Sequence, residues 1–560
     1  MGDSKKKTES NVLVQGTILA AASLISRLIG LVYNIPLTNI IGDKGNDYYS
    51  TAYDLYSTLL LISSYSLPLA VSKLVSARVS KGQRKNAYRI FRGALLLALI
   101  SGGIASLLLY FGAGYLTATV FRTPLSVFAL KVLAPIILVV AVLGVIRGFF
   151  QGLGTMMPSA VSQIVEQIFN AIVSIAAAFV LYGYGTKIGA VLGNAEEYAA
   201  AYGAAGGSLG TNLGAVMGLL FVVFLFLAYR PIFVRQMRRD RSKNQESYGD
   251  VFRILLFTIV PILLSTTVYN ISSIIDNGIF KNVAALQGYQ ADDISVWWGI
   301  YARKYKTIIN IPISIASAMA ASCVPSLTAA FAIRDRQGVK NQINAAIRFI
   351  MVIAFPCAVG MAVLASPILQ LLFHDSSATA AGILRYGSIA IVFYSMSTLS
   401  NGLLQGINRM TEPIKNAVIA LVLHIVFLLL LMFGLHLDIY AVVYANAFFA
   451  LMMCILNAIS VRKYSGYKQE IVRTFVVPLL SSVVMGVVVF LGYEGIDLLM
   501  KKFTSPGISN AVATLLAIVV GMIAYFVCLL LLKGLTKEEL LRFPKGTLLV
   551  RIAQKLHLLK

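Results

Sequence analysis

Charged side chains are scarce in this 560-residue sequence, at 12%, against about 25% in soluble domains. That shortage excludes a soluble globular protein. With 58% hydrophobic residues and a mean hydropathy of +0.80, the chain reads as a polytopic membrane protein. Acids are scarcer still, 23 against 47 Lys and Arg. The four cysteines, Cys323, Cys357, Cys454 and Cys528, stand singly in apolar runs without CxxC spacing. They suggest neither a metal site nor a disulfide framework. His424, alone on an apolar face, reads as a satisfied core residue. There is no DxD, no HExxH, no nucleophile elbow and no large loop domain to host a sugar nucleotide, so an enzyme is not expected. No cleavable signal peptide is expected either, because the apolar run after Lys5, Lys6 and Lys7 is too long for an h-region.

What the chain does have is apolar stretches, fourteen of them, from 12–41 and 48–77 to 471–493 and 508–532. In lipid each must satisfy its own backbone hydrogen bonds, so the expected fold is all-α, with fourteen transmembrane helices. Positive charge sets the orientation. With the N-terminus inside, the inner segments hold most of the 47 basic residues, while the outer loops hold Lys44, Arg122, Lys187, Lys281, Lys501 and Lys502. Both termini are therefore expected in the cytoplasm. The basic loops need no nucleic-acid partner; orientation and contact with anionic headgroups account for them.

Two sequence echoes suggest a duplication. GVIRGFFQGLGTMMP carries Gly148, Gln151, Gly152 and Pro158, and SNGLLQGINRMTEP carries Gly402, Gln405, Gly406 and Pro413. Small-residue helices ending in basic loops recur at 67–89 and 311–348. The expected organisation is an N-lobe at 1–229 (spans 1–6), a cytoplasmic linker at 230–250, a C-lobe at 251–460 (spans 7–12), and spans 13–14 with a basic tail at 461–560. The two six-helix lobes would be pseudo-symmetric about the membrane normal.

Candidate site residues are the polar ones at membrane depth. Arg27 sits mid-way along VLVQGTILAAASLISRLIGLVYNIPLTNII, on a stripe with Ser23, Gly30, Asn34 and Thr38. Holding a cation there costs roughly 2.5–3.5 kcal/mol, which favours a wet cavity or a fixed anion. Span 2 offers Asp47 and Asp54, which pair with Arg27 or hold it toward the cavity. Span 8 carries Arg303, Lys306, Asn310, Ser314 and Ser317 on one face, with Lys304 beside them and Pro312 placed to break the helix. Glu166 and Asp276 are candidates for ion coupling, Glu166 being equally a counter-ion for Arg147 or Arg385. Polar residues of span 10, such as Tyr394 and Asn401, read as helix glue or site in equal measure. An interior turned basic by both lobes selects an anion.

SLISRLIGLVYNIPLTNIIG followed by NDYYSTAYDLY, and GIYARKYK with IPISIASAMAASCVPSL, resemble the MurJ-type lipid II flippases. With the G-x-x-Q-G pair, the chain resembles the SpoVB/YtgP-like branch of the multidrug/oligosaccharidyl-lipid/polysaccharide (MOP) exporter superfamily. That resemblance implies a multi-pass protein of the bacterial cytoplasmic membrane. It implies translocation of an undecaprenyl-pyrophosphate glycolipid by alternating access, a lateral gate between spans 1 and 8, and a groove for the polyprenyl tail at spans 13–14. It places Arg27 at the pyrophosphate, Asp47 on the span-2 acid, and Arg303 and Lys304 near the span-8 cation. Tyr33–Asn34 stands where the family has Arg-Asp, and span 2 lacks a second-half arginine, so Lys306 stands in for part of the cation set. No cofactor is implied beyond coupling to membrane potential, H⁺ or Na⁺, and a monomer is expected. The alternatives are another lipid-linked polysaccharide or teichoic precursor, or H⁺/Na⁺-coupled drug export.

Overall fold

The computed structural model describes residues 2–240, 242, 245–535, 547, 550, 551 and 554. Among these, all regular structure is helical. In order the α-helices are α1 (Gly2–Leu60), α2 (Leu67–Val79), α3 (Arg84–Tyr115), α4 (Val127–Leu133), α5 (Ile136–Gly152), α6 (Met157–Leu192), α7 (Ala195–Arg238), α8 (Tyr248–Leu286) and α9 (Ala291–Gly299). They continue as α10 (Lys306–Ala332), α11 (Arg336–Val363), α12 (Ala365–Phe373), α13 (Ala378–Gly387), α14 (Ala390–Gly406), α15 (Thr411–Leu435), α16 (Ile439–Ser465), α17 (Val477–Met500) and α18 (Pro506–Leu531). Eleven helical runs among the described residues are long and apolar enough to cross a membrane, or twelve if α13 and α14, bent by 42°, make one span.

One of those runs, Ala21–Val79, covers two stretches that the sequence separates. Its backbone breaks at Gly42, where φ is 68° and ψ is 178°, a combination only glycine adopts without strain. Pro36, one and a half turns earlier, is carried inside the helix. The break expected at Pro312 is not there: α10 runs through it unbroken. The irregularity lies just upstream, where Ile300–Tyr305 is wound as a π-helical turn.

The chain divides into two compact units, Met1–Arg303 and Lys304–Lys560. In the first, α6 and α7 lie closest. Their contact is made by Gly206, Gly210 and Gly214, where a Cβ would come within 2.5 Å of Ala177 O, 2.0 Å of Ser174 Oγ and 2.6 Å of Glu166 O. This is the small-residue spacing that brings helices together in lipid, where burial adds little drive. An aromatic cluster joins α3, α5 and α7, with Phe91 and Phe149 centroids 4.5 Å apart. Helix α8 packs on the same cluster through Val251 and Leu255, both fully buried. The second unit has a core of its own where α11 meets α17 and α18, built on Met485, Val489, Ala517, Tyr525 and Leu529.

The two echoes of the sequence meet in each unit taken by itself. In the first unit a Cβ at Gly148 or Gly152 of α5 would collide with Pro68 and Val75 of α2. In the second, Gly402 and Gly406 of α14 lie against Ala320 and Leu327 of α10. The G-x-x-Q-G helix thus holds the small-residue helix tightly in both.

Candidate functional site

Arg27 lies on the face of α1 that runs along α6. Ser23 Oγ donates to Gln163 Oε1 at 3.1 Å, and Gly30 faces Gln167. Arg27 itself is exposed and, among the described residues, holds no ion pair or hydrogen bond. The acids that were expected beside it are engaged elsewhere. A guanidinium can donate to an anion through several N–H groups at once.

Two turns on, Asn34 Oδ1 accepts from Arg303 Nη2 at 2.6 Å. The Arg303 guanidinium lies over the Tyr49 ring, 4.4 Å from its centroid. Its Nε is buried with no acceptor. Tyr33, beside Asn34, accepts through its hydroxyl from Asn170 Nδ2 at 3.1 Å. The Tyr33–Asn34 pair therefore fastens α1 to α6 and to Arg303 through neutral partners.

Asp47 is fully buried. Lys281 Nζ of α8 donates to its Oδ1 at 2.5 Å, Thr51 Oγ1 to the same oxygen at 3.0 Å, and Ser295 Oγ of α9 to Oδ2 at 2.8 Å. Lys281 also reaches Thr51 Oγ1 at 2.8 Å and stands 5.9 Å from the Trp298 ring centroid. Nearby, Lys44 pairs with Asp292 at 2.9 Å, and a Cβ on Gly299 would come within 2.0 Å of Asp43 O. Helices α8 and α9 are thus closed onto the chain just past the Gly42 break. Asp54 is partly buried and accepts from Ser273 Oγ of α8 at 3.3 Å.

Arg303 and Lys304 have separate partners. Arg303 closes on Asn34 in the first unit, while Lys304, the first residue of the second, pairs with Asp375 at 2.6 Å. The π-helical turn adds a residue to the repeat, so a stripe counted at 3.6 residues per turn loses its register here. Lys306 is partly buried at the start of α10.

Glu166 is the counter-ion of Arg147. Arg147 Nη2 donates to Glu166 Oε2 and its Nε to Ser162 Oγ, both at 2.8 Å. Asp276 is buried on α8. The span-10 residues behave as glue: Tyr394 bonds Asn446 at 2.8 Å, and Asn457 Nδ2 donates to Asn401 Oδ1 at 2.7 Å and to Ser400. His424 is fully buried with Nδ1 2.8 Å from Ala445 O, as expected of a core histidine. All four cysteines are free. The string Gly206–Gly210 spells G-x-S-x-G, but it is mid-helix, with Ser208 buried and bonded to Ala204 O. That geometry cannot present a nucleophile.

Lys281 and Asp375 were missed as site partners by sequence reasoning. Lys281 left one signal, its position one turn after Asn277 at the end of an apolar span. Asp375 left none, because its partner is 71 residues away.

In the second unit α11, α12, α17 and α18 enclose a cavity of about 480 Å³, lined by side chains such as Pro356, Met361, Leu364, Met485, Tyr525 and Phe526. Its lining is almost wholly apolar, which suits hydrocarbon. Tyr525 turns its hydroxyl away to Val352 O at 2.8 Å.

Eleven or twelve helical runs long and apolar enough to cross a membrane, among the described residues, make this an all-helical multi-pass membrane protein, and the sequence matches place it in the MOP superfamily. The profile of the polysaccharide biosynthesis protein family matches residues 12–331, and the chain belongs to that family; the MatE profile matches residues 305–430. The chain is 26% identical to "Lipid II flippase MurJ" of Bacillus subtilis (strain 168) over 536 residues, covering 93% of this chain and 95% of that one. It is 23% identical to "Stage V sporulation protein B" of the same organism over 544 residues, 96% and 99% of the two chains. Among solved structures it resembles an inward-facing multidrug resistance MATE family transporter, with a TM-score of 0.64 at 17% identity over 79% of this chain and 96% of that one. It also resembles lipid II flippase MurJ in its inward closed conformation, with a TM-score of 0.60 at 15% identity over 91% and 98%. The MurJ and MATE relatives are by name a flippase and a transporter rather than enzymes, and this chain is a multi-pass protein of the bacterial plasma membrane.

Proposed function

We propose that this protein is a flippase that carries an undecaprenyl-pyrophosphate-linked cell-wall precursor, lipid II, from the inner to the outer leaflet by alternating access, serving peptidoglycan synthesis and cell shape. The observation that carries this reading is Arg27, an exposed, unpaired guanidinium on the membrane-depth stretch of α1. It binds the pyrophosphate, with Asn34 and the donor-rich Arg303 two turns further along the first unit, where Asp47 and Asp54 support the site through their own partners. In the second unit, taken by itself, Lys304 and Lys306 are the candidate cations. The apolar cavity at α17 and α18 takes the polyprenyl tail. Moving one charge through 100 mV is worth about 2.3 kcal/mol, so an inside-negative potential draws the empty cationic cavity back inward. The ion pair between Arg147 and Glu166 supports a structural part for Glu166 over proton or Na⁺ coupling; Asp276 is the remaining candidate.

The working topology is fourteen spans with both termini in the cytoplasm. It is reached by splitting Ala21–Val79 at Gly42, joining α13 to α14, and adding α8. The repeat lobes at 1–229 and 251–460, the 230–250 linker and the 461–560 extension follow from it, in a monomer that contacts anionic membrane lipids.

The test is translocation of fluorescent lipid II by the full chain in proteoliposomes. Arg27→Ala is expected to lower the rate at least tenfold with folding intact; a wild-type rate would remove the site. The neutral Tyr33–Asn34 pair favours one second reading, a different lipid-linked polymer precursor. Depleting the protein and identifying the intermediate that accumulates on the inner leaflet separates the two.

A further inference from the structure

We propose that the second unit carries a separate binding site for the phosphate headgroup of an anionic phospholipid, in the cavity between the α10–α11 turn and the end of α16. The proposal gives a place to the anionic-lipid contact of the working topology and rests on that topology for its inner-leaflet position.

The cavity holds about 740 Å³ and is lined by Arg334, Arg336, Lys340 and Lys463, with Phe331 and Tyr464 among its walls. Asp335 is the one acid in the lining, and it is already engaged: its Oδ1 accepts from Gly338 N at 2.9 Å as the cap of α11. Glu412 borders the Tyr464 side and is matched by Lys415 at 3.2 Å. Four cations around one hollow, three of them exposed, outnumber the single carboxylate and raise a positive potential that favours an anion there. Phosphate oxygens meet both guanidinium forks and ammonium points, the donor types present here.

The backbone is arranged to hold these groups in place. Arg334 sits at φ 58°, a left-handed conformation that a side chain of this size rarely takes. The turn is tied by Arg334 N to Phe331 O at 3.1 Å and Asp335 N to Ala330 O at 3.0 Å. Across the hollow α16 ends on Gly466, also left-handed, and Lys340 passes beside it. Tyr464 carries the Arg409 guanidinium 4.4 Å from its ring centroid, adding a fifth positive charge at the margin. The rim decides between a lipid and a free phosphate. Phe331 and Ile333, 39% and 77% exposed, stand beside the cations and suit acyl chains.

The experiment is native mass spectrometry of the full chain in nonionic detergent, titrated with dioleoylphosphatidylglycerol or dioleoylphosphatidylcholine, and with inorganic phosphate as competitor. Wild type is expected to retain phosphatidylglycerol and not phosphatidylcholine. The triple variant Arg334→Gln, Lys340→Gln, Lys463→Gln is expected to bind phosphatidylglycerol at least tenfold more weakly, and Lys187→Gln, an exposed lysine of the first unit, as wild type. Equal phosphatidylglycerol binding by the triple variant, equal binding of phosphatidylcholine, or complete displacement by inorganic phosphate would each overturn the proposal. Should the triple variant lose its thermal transition, Lys340→Gln alone decides, with an expected drop of about fivefold. Arg27→Ala should leave this binding unchanged, so failure of the translocation reading and failure of this site are told apart.

Discussion

Lys281 and Asp47 form an ion pair with almost no exposure on either side chain, 1% and 0%. Burying two charges is costly, and the pair stands because Thr51 and Ser295 share the carboxylate and Thr51 the ammonium. Lys281→Met should therefore destabilise the protein by about 3–5 kcal/mol, leaving a bare buried carboxylate. Adding Asp47→Asn should restore much of that loss. Thermal unfolding of the two variants in detergent reads the difference, and equal melting temperatures would show that the bare carboxylate is not the cause of the loss. Arg27 obeys the opposite logic. It has no partner to lose, so Arg27→Ala should cost transport and not stability.

At the scale of helices, shape decides more than charge. Gly148→Val should destabilise by about 1–3 kcal/mol through overpacking, since even a Cβ at Gly148 would come within 2.5 Å of Pro68 O. Gly103→Ala, with open space around it, should be neutral or slightly stabilising; unfolding midpoints compare the two. Gly402→Val in α14 should reproduce the Gly148 effect if the repeated motif does the same work in the second unit. The linker end is held differently. Asp240 accepts from the amides of Lys85 and Ser242, each at 2.8 Å. Burial alone would raise its pKa, but these amides and the Lys85 charge outweigh it and hold the carboxyl below its usual value. Folding favours the charged form, so this contribution is complete above the ordinary carboxylate pKa and is lost as pH falls through the lowered one. The hydrogen-exchange protection factors of the 80–90 segment, corrected for the intrinsic pH dependence of exchange, should fall on acidification in that window, and Asp240→Asn should show the lower protection already at pH 7.

For the molecule as a whole, orientation is the property most open to measurement. In a cysteine-free background, single cysteines at Lys81 and Lys340 should react with an impermeant maleimide only from the cytoplasmic side, and those at Lys187 and Lys501 only from outside. One residue labelled from the wrong face would cancel the fourteen-span topology. Membrane class, all-helical fold and the G-x-x-Q-G repeat were legible in the chain itself, because lipid forces long apolar runs and internal hydrogen bonding on any sequence that crosses it. Arg27 was legible for the same reason, as an unpaid charge in an apolar run. The partners were not. That Asp47 belongs to Lys281, Glu166 to Arg147 and Lys304 to Asp375 depends on how helices far apart in sequence pack. Helical period reports which face a residue occupies, not which neighbour comes to meet it. Arg303 and Lys304, as neighbours on a helix, point about 100° apart, but which group each one meets is not written in that angle. Tertiary packing alone decided which polar groups cancel one another, and so which cation kept no partner among the described residues.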